Sequence, residues 1–194
     1  MSCLVIKPKT FLFPCLNTFK HIDIGFNLHV LIFFLSFVYA YALQSLPLLE
    51  YKDRINYLNY ASYSDVIFFM YLNRGLPVLI SNEPVWLLTN IVLSLIFTPE
   101  TSLRIIIFSS AFIFSYIFIR ISPYNVFWLL LFLLTPSLVK NFIIHLRQGL
   151  AIAVFLIGFY TQGRLKSWFL ISIAAFIHAS FFLCICNHSI TISP

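Results

Sequence analysis

From Phe26 to Leu43 the chain runs 18 residues without an Asp, Glu, Lys or Arg, and that feature alone removes most folds from consideration. An apolar stretch of about 18 or more residues is long enough to cross the hydrocarbon core of a bilayer as a helix. Further apolar runs follow at Ile105–Ile119, Tyr124–Val139 and Trp168–Cys186. Another, Phe142–Tyr160, is interrupted by His145, Arg147 and Gln148. Of 194 residues, 61% are hydrophobic and 9% are charged, whereas a soluble domain carries about 25% charged side chains. Too little polar surface is left to face water. The runs are long and do not alternate, so the spans they predict are helical.

The expected architecture is therefore all-α: a polytopic helical integral membrane protein with about five to six transmembrane helices and one interfacial or re-entrant helix. Residues 1–25, with Lys7, Lys9 and Lys20, make a basic cytoplasmic amino-terminus. Residues 26–187 form a single membrane domain, and 188–194 a short tail. The Ala40-Tyr41-Ala42 triplet after the first run resembles a signal-peptide cleavage site. Both the run and the basic segment before it are long for a signal peptide, which favours an uncleaved first span.

Charge sets the expected orientation. The net charge of +6 comes from scattered Lys and Arg that form no patch, so it argues for no nucleic-acid partner and instead reports which loops are cytoplasmic. Pro84–Phe97, at 14 residues, is short for a span and suits an interfacial or re-entrant helix. With that helix not crossing, Arg120 and the "GRLK" turn at 163–166 both become cytoplasmic, at the expense of an outward Lys140. The wet stretch 44–83 then becomes an extracytoplasmic loop. It holds four of the six acids and five of the ten tyrosines, and Tyr suits the membrane interface.

Two elements stand out against this background: "HLRQGLA" at 145–151 and "AFIHAS" at 175–180. If the two runs form a hairpin turning at Gly163-Arg164, each arm is about 21 Å long at 1.5 Å per residue, and Arg147 and His178 return to the same depth on the outer side. An Arg inside a membrane helix is expensive unless it faces a cavity or an anion. Its planar fork suits phosphate or carboxylate, and Gln148 beside it adds donors. The wet stretch supplies acids, Asp53 and Glu83, for general-base work. The candidate catalytic residues are thus Asp53, Glu83 and His178, and the candidate substrate-binding residues are Arg147 and Gln148. Each has a plainer competing role: Arg147 as an interfacial snorkeller, His178 as a packing residue, Glu83 as the cap of the helix that follows it, Asp53 as a solvated charge. His21, His29, His145 and His188 are read as structural. Cys3, Cys15, Cys184 and Cys186 lack metal-ligand spacing and are read as packing residues. No metal or cofactor is expected.

The order "DRINY" (53–57), "NEPVWLL" (82–88), "RQGLA" (147–151), a basic turn and "FIHAS" (176–180) resembles the EpsG-like family of bacterial exopolysaccharide and O-antigen-type polymerases. The resemblance implies a glycosyltransferase in the bacterial inner membrane. It would join undecaprenyl-diphosphate-linked oligosaccharide repeat units at the outer face, without a metal, with an acid as base and Arg147 on the diphosphate. Its implied partners are the lipid-linked oligosaccharide, membrane lipid and other polysaccharide-assembly membrane proteins. It covers roughly residues 30–185. Members of the family are about twice as long, so the resemblance implies that the chain is an amino-terminal half. The alternatives from other classes are a transporter or flippase component for an anionic lipid-linked substrate, and a non-catalytic membrane scaffold.

Overall fold

The computed structural model describes residues 26–47 and 53–181. The basic amino-terminus, the four cysteines, His21, His188 and the 188–194 tail lie outside the described residues. Within them the chain is all-helical, with no strand.

Two long helices form the frame. The first, α1 (Phe26–Gln44), buries Ile32, Ser36, Tyr39, Ala40 and Leu43, a stripe at helical spacing. Its opposite side exposes Val30, Phe33, Phe34, Phe37 and Val38. The stripe packs on α6 (Pro99–Ile121), in which Leu103, Ile107, Ser110, Ala111 and Phe114 are buried. Small residues at 40, 110 and 111 let the two backbones approach. Three buried serines bond within their own helix: Ser36 donates to the Ile32 carbonyl at 2.8 Å, Ser110 to Ile106 at 2.7 Å and Ser115 to Ala111 at 2.7 Å. The start of α6 is written in its sequence, with Thr98 capping the Thr101 amide and Pro99 in the first turn, as capping chemistry favours. Arg104 ties the pair together at one end, reaching the Gln44 carbonyl at 2.6 Å and Glu100 at 2.9 Å.

These two helices are long and apolar enough to cross a membrane. At 23 residues, α6 is about 34 Å long against a hydrocarbon core of about 30 Å. The run read as one span over Tyr124–Val139 is broken. A 3-10 turn at Pro123–Asn125 leads into α7 (Val126–Leu133), and α8 (Pro136–Ile143) departs at 73°. Pro136 explains the break, because it has no N–H to give and holds the preceding residue out of the helical region. The Leu133 carbonyl at the end of α7 accepts instead from the Tyr39 hydroxyl of α1 at 3.0 Å. Counting the bent pair as one span gives three membrane-crossing candidates, where about five to six were expected from the apolar runs.

The remaining helices are short. The wet stretch expected as a loop is largely helical: α2 (Arg54–Ser62), α3 (Ser64–Asn73) and α4 (Leu76–Ser81). After it comes α5 (Pro84–Ser94), the expected short apolar helix, which spans 11 residues. The last two helices, α9 (Leu146–Tyr160) and α10 (Arg164–Ile177), form an antiparallel hairpin around Gly163, whose φ is +106°. Gly158 lets the arms touch, since a Cβ there would lie 2.9 Å from Leu170 Cβ. The last run was expected to continue to Cys186, yet α10 stops at Ile177 with His178 as its extended C-cap.

Candidate functional site

The site forms where helices begin and end. Glu83 precedes Pro84 at the start of α5 and adopts the left-handed region, with φ 55° and ψ 60°. For a residue with a Cβ this costs about 1–2 kcal/mol. Its backbone carbonyl begins α5 by accepting from the Trp86 and Leu87 amides, but its side chain makes no capping bond. The plain cap role is therefore not the one taken. The carboxylate turns instead to two basic side chains far away in sequence.

Glu83 Oε2 accepts from Arg147 Nη1 at 2.5 Å, and Glu83 Oε1 lies 2.7 Å from His178 Nδ1. The Glu83 side chain is only 11% exposed, against 36% for Arg147 and 31% for His178. One nearly buried carboxylate is thus bridged by two partly accessible basic groups. Charge-assisted bonds of this kind are among the stronger ones in proteins, and removing one partner leaves a buried group unsatisfied.

Local sequence places each partner. Arg147 sits in the first turn of α9, after a break at His145. Gly149, two residues on, faces α8: a Cβ there would lie 2.7 Å from the Asn141 carbonyl oxygen and 3.0 Å from Phe142 Cδ1. The glycine in "RQGLA" is accordingly required by packing, and that packing fixes the depth of Arg147. His178 leaves α10 at its C-cap, where its amide still bonds the Ala174 carbonyl at 3.0 Å. The hairpin thus returns Arg147 and His178 to one level, as the arm lengths require.

Two tyrosines complete the setting of the arginine. The guanidinium carbon lies 5.7 Å from the Tyr57 ring centroid and 5.6 Å from that of Tyr60, within cation–π range. Tyr57 is buried and meets Trp86 edge to face at 5.8 Å, so α2 and α5 hold the arginine between them. From sequence these tyrosines look like interfacial anchors. The signal that marks them as more is their spacing: three apart on α2, one ring reaches Arg147 from the buried side of the helix and the other from its half-buried side.

The other two predicted residues do not join this cluster. Asp53 precedes α2 and contributes its backbone carbonyl to Tyr57 N–H at 3.2 Å, with no side-chain cap bond. Gln148 is half-buried on α9, and no hydrogen bond to its side chain occurs among the described residues. Arg54, next to Asp53, lies on the inner face of α2 at 1% exposure, although composition alone suggests a solvated charge.

Chemically, the bridge sets the histidine tautomer. Against an ionised carboxylate, which only accepts, Nδ1 is the donor, and in a neutral imidazole so held Nε2 is the acceptor. The result is a base whose orientation is held by an acid, with an arginine fork beside it. Comparison with known proteins adds no relative: no family model, curated protein or solved structure matches the chain.

Proposed function

We propose that the chain is a polysaccharide-polymerase-type glycosyltransferase of the bacterial inner membrane, joining undecaprenyl-diphosphate-linked repeat units at the outer face. The multi-pass arrangement of about five to six crossings, with one interfacial or re-entrant helix, belongs to the same proposal. It requires α5, α9 and α10 to act with neighbouring turns as short or tilted membrane segments. The single observation that carries the reading is the bridge from Glu83 to both Arg147 and His178.

In this reaction an acceptor hydroxyl attacks the anomeric carbon of the donor sugar. A new C–O bond forms as the bond from that carbon to the diphosphate oxygen breaks. The lipid diphosphate leaves with the electron pair. The hydroxyl proton passes to His178 Nε2, and Glu83 stabilises the imidazolium through Nδ1–H. Arg147 spends Nη1 on Glu83 and keeps its other N–H donors for phosphate oxygens, where negative charge grows.

The experiment is deletion of the gene followed by complementation, with the lipid-linked glycans resolved on a gel. Loss of the gene should collapse a ladder of long chains to single repeat units. Wild type should restore the ladder, and Glu83→Gln or His178→Ala, at equal membrane abundance, should not. A ladder unchanged by deletion, or restored by both variants, rejects the reading. Accumulation of lipid-linked units inside the cell, with elongation intact in isolated membranes, would identify a transporter instead.

A further inference from the structure

Beside Arg147 lies an open groove of about 320 Å³ between α2 and α3, at the lower end of the range of about 300–1,000 Å³ typical of ligand pockets. One wall is Asn56, Asn59 and Tyr60 of α2, spaced i, i+3 and i+4 along one helical face, with Tyr63 at the junction between α2 and α3. The opposite face of α2, with Arg54, Tyr57 and Ala61, is buried. Helix α3 contributes Tyr71 and apolar neighbours. None of the lining side chains carries a charge at neutral pH. Burial first, and then Tyr60 beside it, raise the Tyr71 pKa above its ordinary value, so that phenol remains a neutral hydrogen-bonding group. The groove opens next to the reactive cluster, because the Tyr60 that lines it is the ring 5.6 Å from the Arg147 guanidinium.

This lining has a defined complement. Two carboxamides offer paired donors and acceptors, and phenols offer one of each, which matches the vicinal hydroxyls of a sugar. Aromatic rings present flat apolar faces, suited to the C–H face of a pyranose. An anion would find no counter-charge in the groove itself but would find one at its edge, in Arg147.

We infer that the groove between α2 and α3 is a carbohydrate subsite that takes a neutral sugar of an oligosaccharide and directs its phosphorylated end toward Arg147. The sugar subsite stands on the lining alone, while the direction of the phosphorylated end rests on the function proposed above. Asn56 and Asn59 bond the ring hydroxyls, Tyr63 stacks on the ring, and Tyr60 separates sugar from diphosphate.

The test uses the full chain in a detergent without a sugar head group. It is presented with a panel of phosphate-free di- to tetrasaccharides of glucose, galactose, rhamnose and N-acetylhexosamines, and read by saturation-transfer NMR and titration. Saturable binding of at least one panel member is expected, weakened about tenfold by Asn59→Ala and again by Tyr63→Ala. Both side chains are exposed, so the fold should survive their removal, checked by circular dichroism. Glu83→Gln should bind the same saccharide undiminished. The subsite is overturned if no panel member binds, or if the folded Asn59→Ala/Tyr63→Ala double variant binds as well as wild type. Saccharide binding by a chain that builds no ladder keeps the subsite and rejects the polymerase. A ladder without saccharide binding does the reverse.

Discussion

The α1–α6 pair and the cluster of short helices around Glu83 solve the same problem in opposite ways. Both must satisfy polar groups in a chain with little polar surface. In the long pair, Ser36, Ser110 and Ser115 each bond a carbonyl four residues back in their own helix, and Ser102 alone of the buried serines there bonds nothing among the described residues. In the short-helix region, the carboxylate of Glu83 is satisfied by partners 64 and 95 positions away. Local satisfaction lets a helix be long, regular and indifferent to its neighbours' chemistry. Distant satisfaction needs helices that stop, so that backbone breaks at Glu83, His145 and His178 can aim side chains at one point. Chemistry is concentrated where the helices end.

The largest break in that contrast comes from glycine. Gly149→Val places a side chain 2.7 Å from a backbone oxygen that cannot rotate away. Overpacking of this kind costs about 1–3 kcal/mol or more. The first turn of α9 should shift, carrying Arg147 with it. Thermal unfolding in detergent should fall, and the glycan ladder should be lost even in molecules that remain folded. A folded, fully active Gly149→Val would show that α8 does not set the position of the arginine.

Glu83 separates side chain from backbone. Glu83→Ala removes both charge-assisted bonds and keeps the left-handed φ on a residue with a Cβ, so stability should drop by about 1–3 kcal/mol. Glu83→Gly loses the same bonds and relieves the strain, and should be about 1 kcal/mol more stable than the alanine variant. Both should be inactive. Equal stability of the two would mean that the backbone conformation at 83 carries no strain.

These residues also mark how far the sequence could be read. Apolar length gives α1 within one residue and the carboxyl end of α6 within two, because a long helix in apolar surroundings depends on little beyond its own composition. The start of α6 lies six residues before its apolar run, at the Thr98–Pro99 cap. Arm length on either side of Gly163 places Arg147 and His178 at one depth, because rise per residue is fixed. Nothing local announces that Glu83 is left-handed, since the conformation is imposed by bonds that exist only after α9 and α10 have packed. The helices of 53–81 were hidden for a related reason: their charges and tyrosines resemble a wet loop until Arg54 and Tyr57 are seen to face inward. The Thr135–Pro136 break was hidden by composition, because an apolar run scores alike whether straight or bent. Asp53 and Gln148 carry suitable chemistry and stand near the right residues in sequence, but proximity along the chain does not fix direction in space.

The bent pair offers an intermediate case, in which one long-range bond is made inside the long-helix region. Tyr39→Phe keeps the ring and removes the hydroxyl that meets the Leu133 carbonyl. Leaving that carbonyl without its partner should cost about 1–3 kcal/mol. Unfolding in detergent should register the loss, while the ladder should persist because Glu83, Arg147 and His178 are untouched. A Tyr39→Phe variant as stable as wild type would mean that the carbonyl finds another donor.

The smallest effect is the sharpest test of the comparison. Ser110 is buried at 1% exposure in the middle of α6, a position at which losing a hydrogen bond ordinarily destabilises a protein. Its hydroxyl, however, bonds the Ile106 carbonyl of its own helix at 2.7 Å, and that carbonyl also belongs to the helical backbone ladder. Ser110→Ala removes donor and hydroxyl together, leaves nothing unsatisfied, keeps the small side chain that α1 packs against, and improves helix propensity. The change in stability should stay within about 0.5 kcal/mol in either direction, and activity should be unaltered. A loss above about 1 kcal/mol would place the Ser110 hydroxyl among groups that act between helices, and the division between locally and distantly satisfied regions would then fail at the centre of its best example.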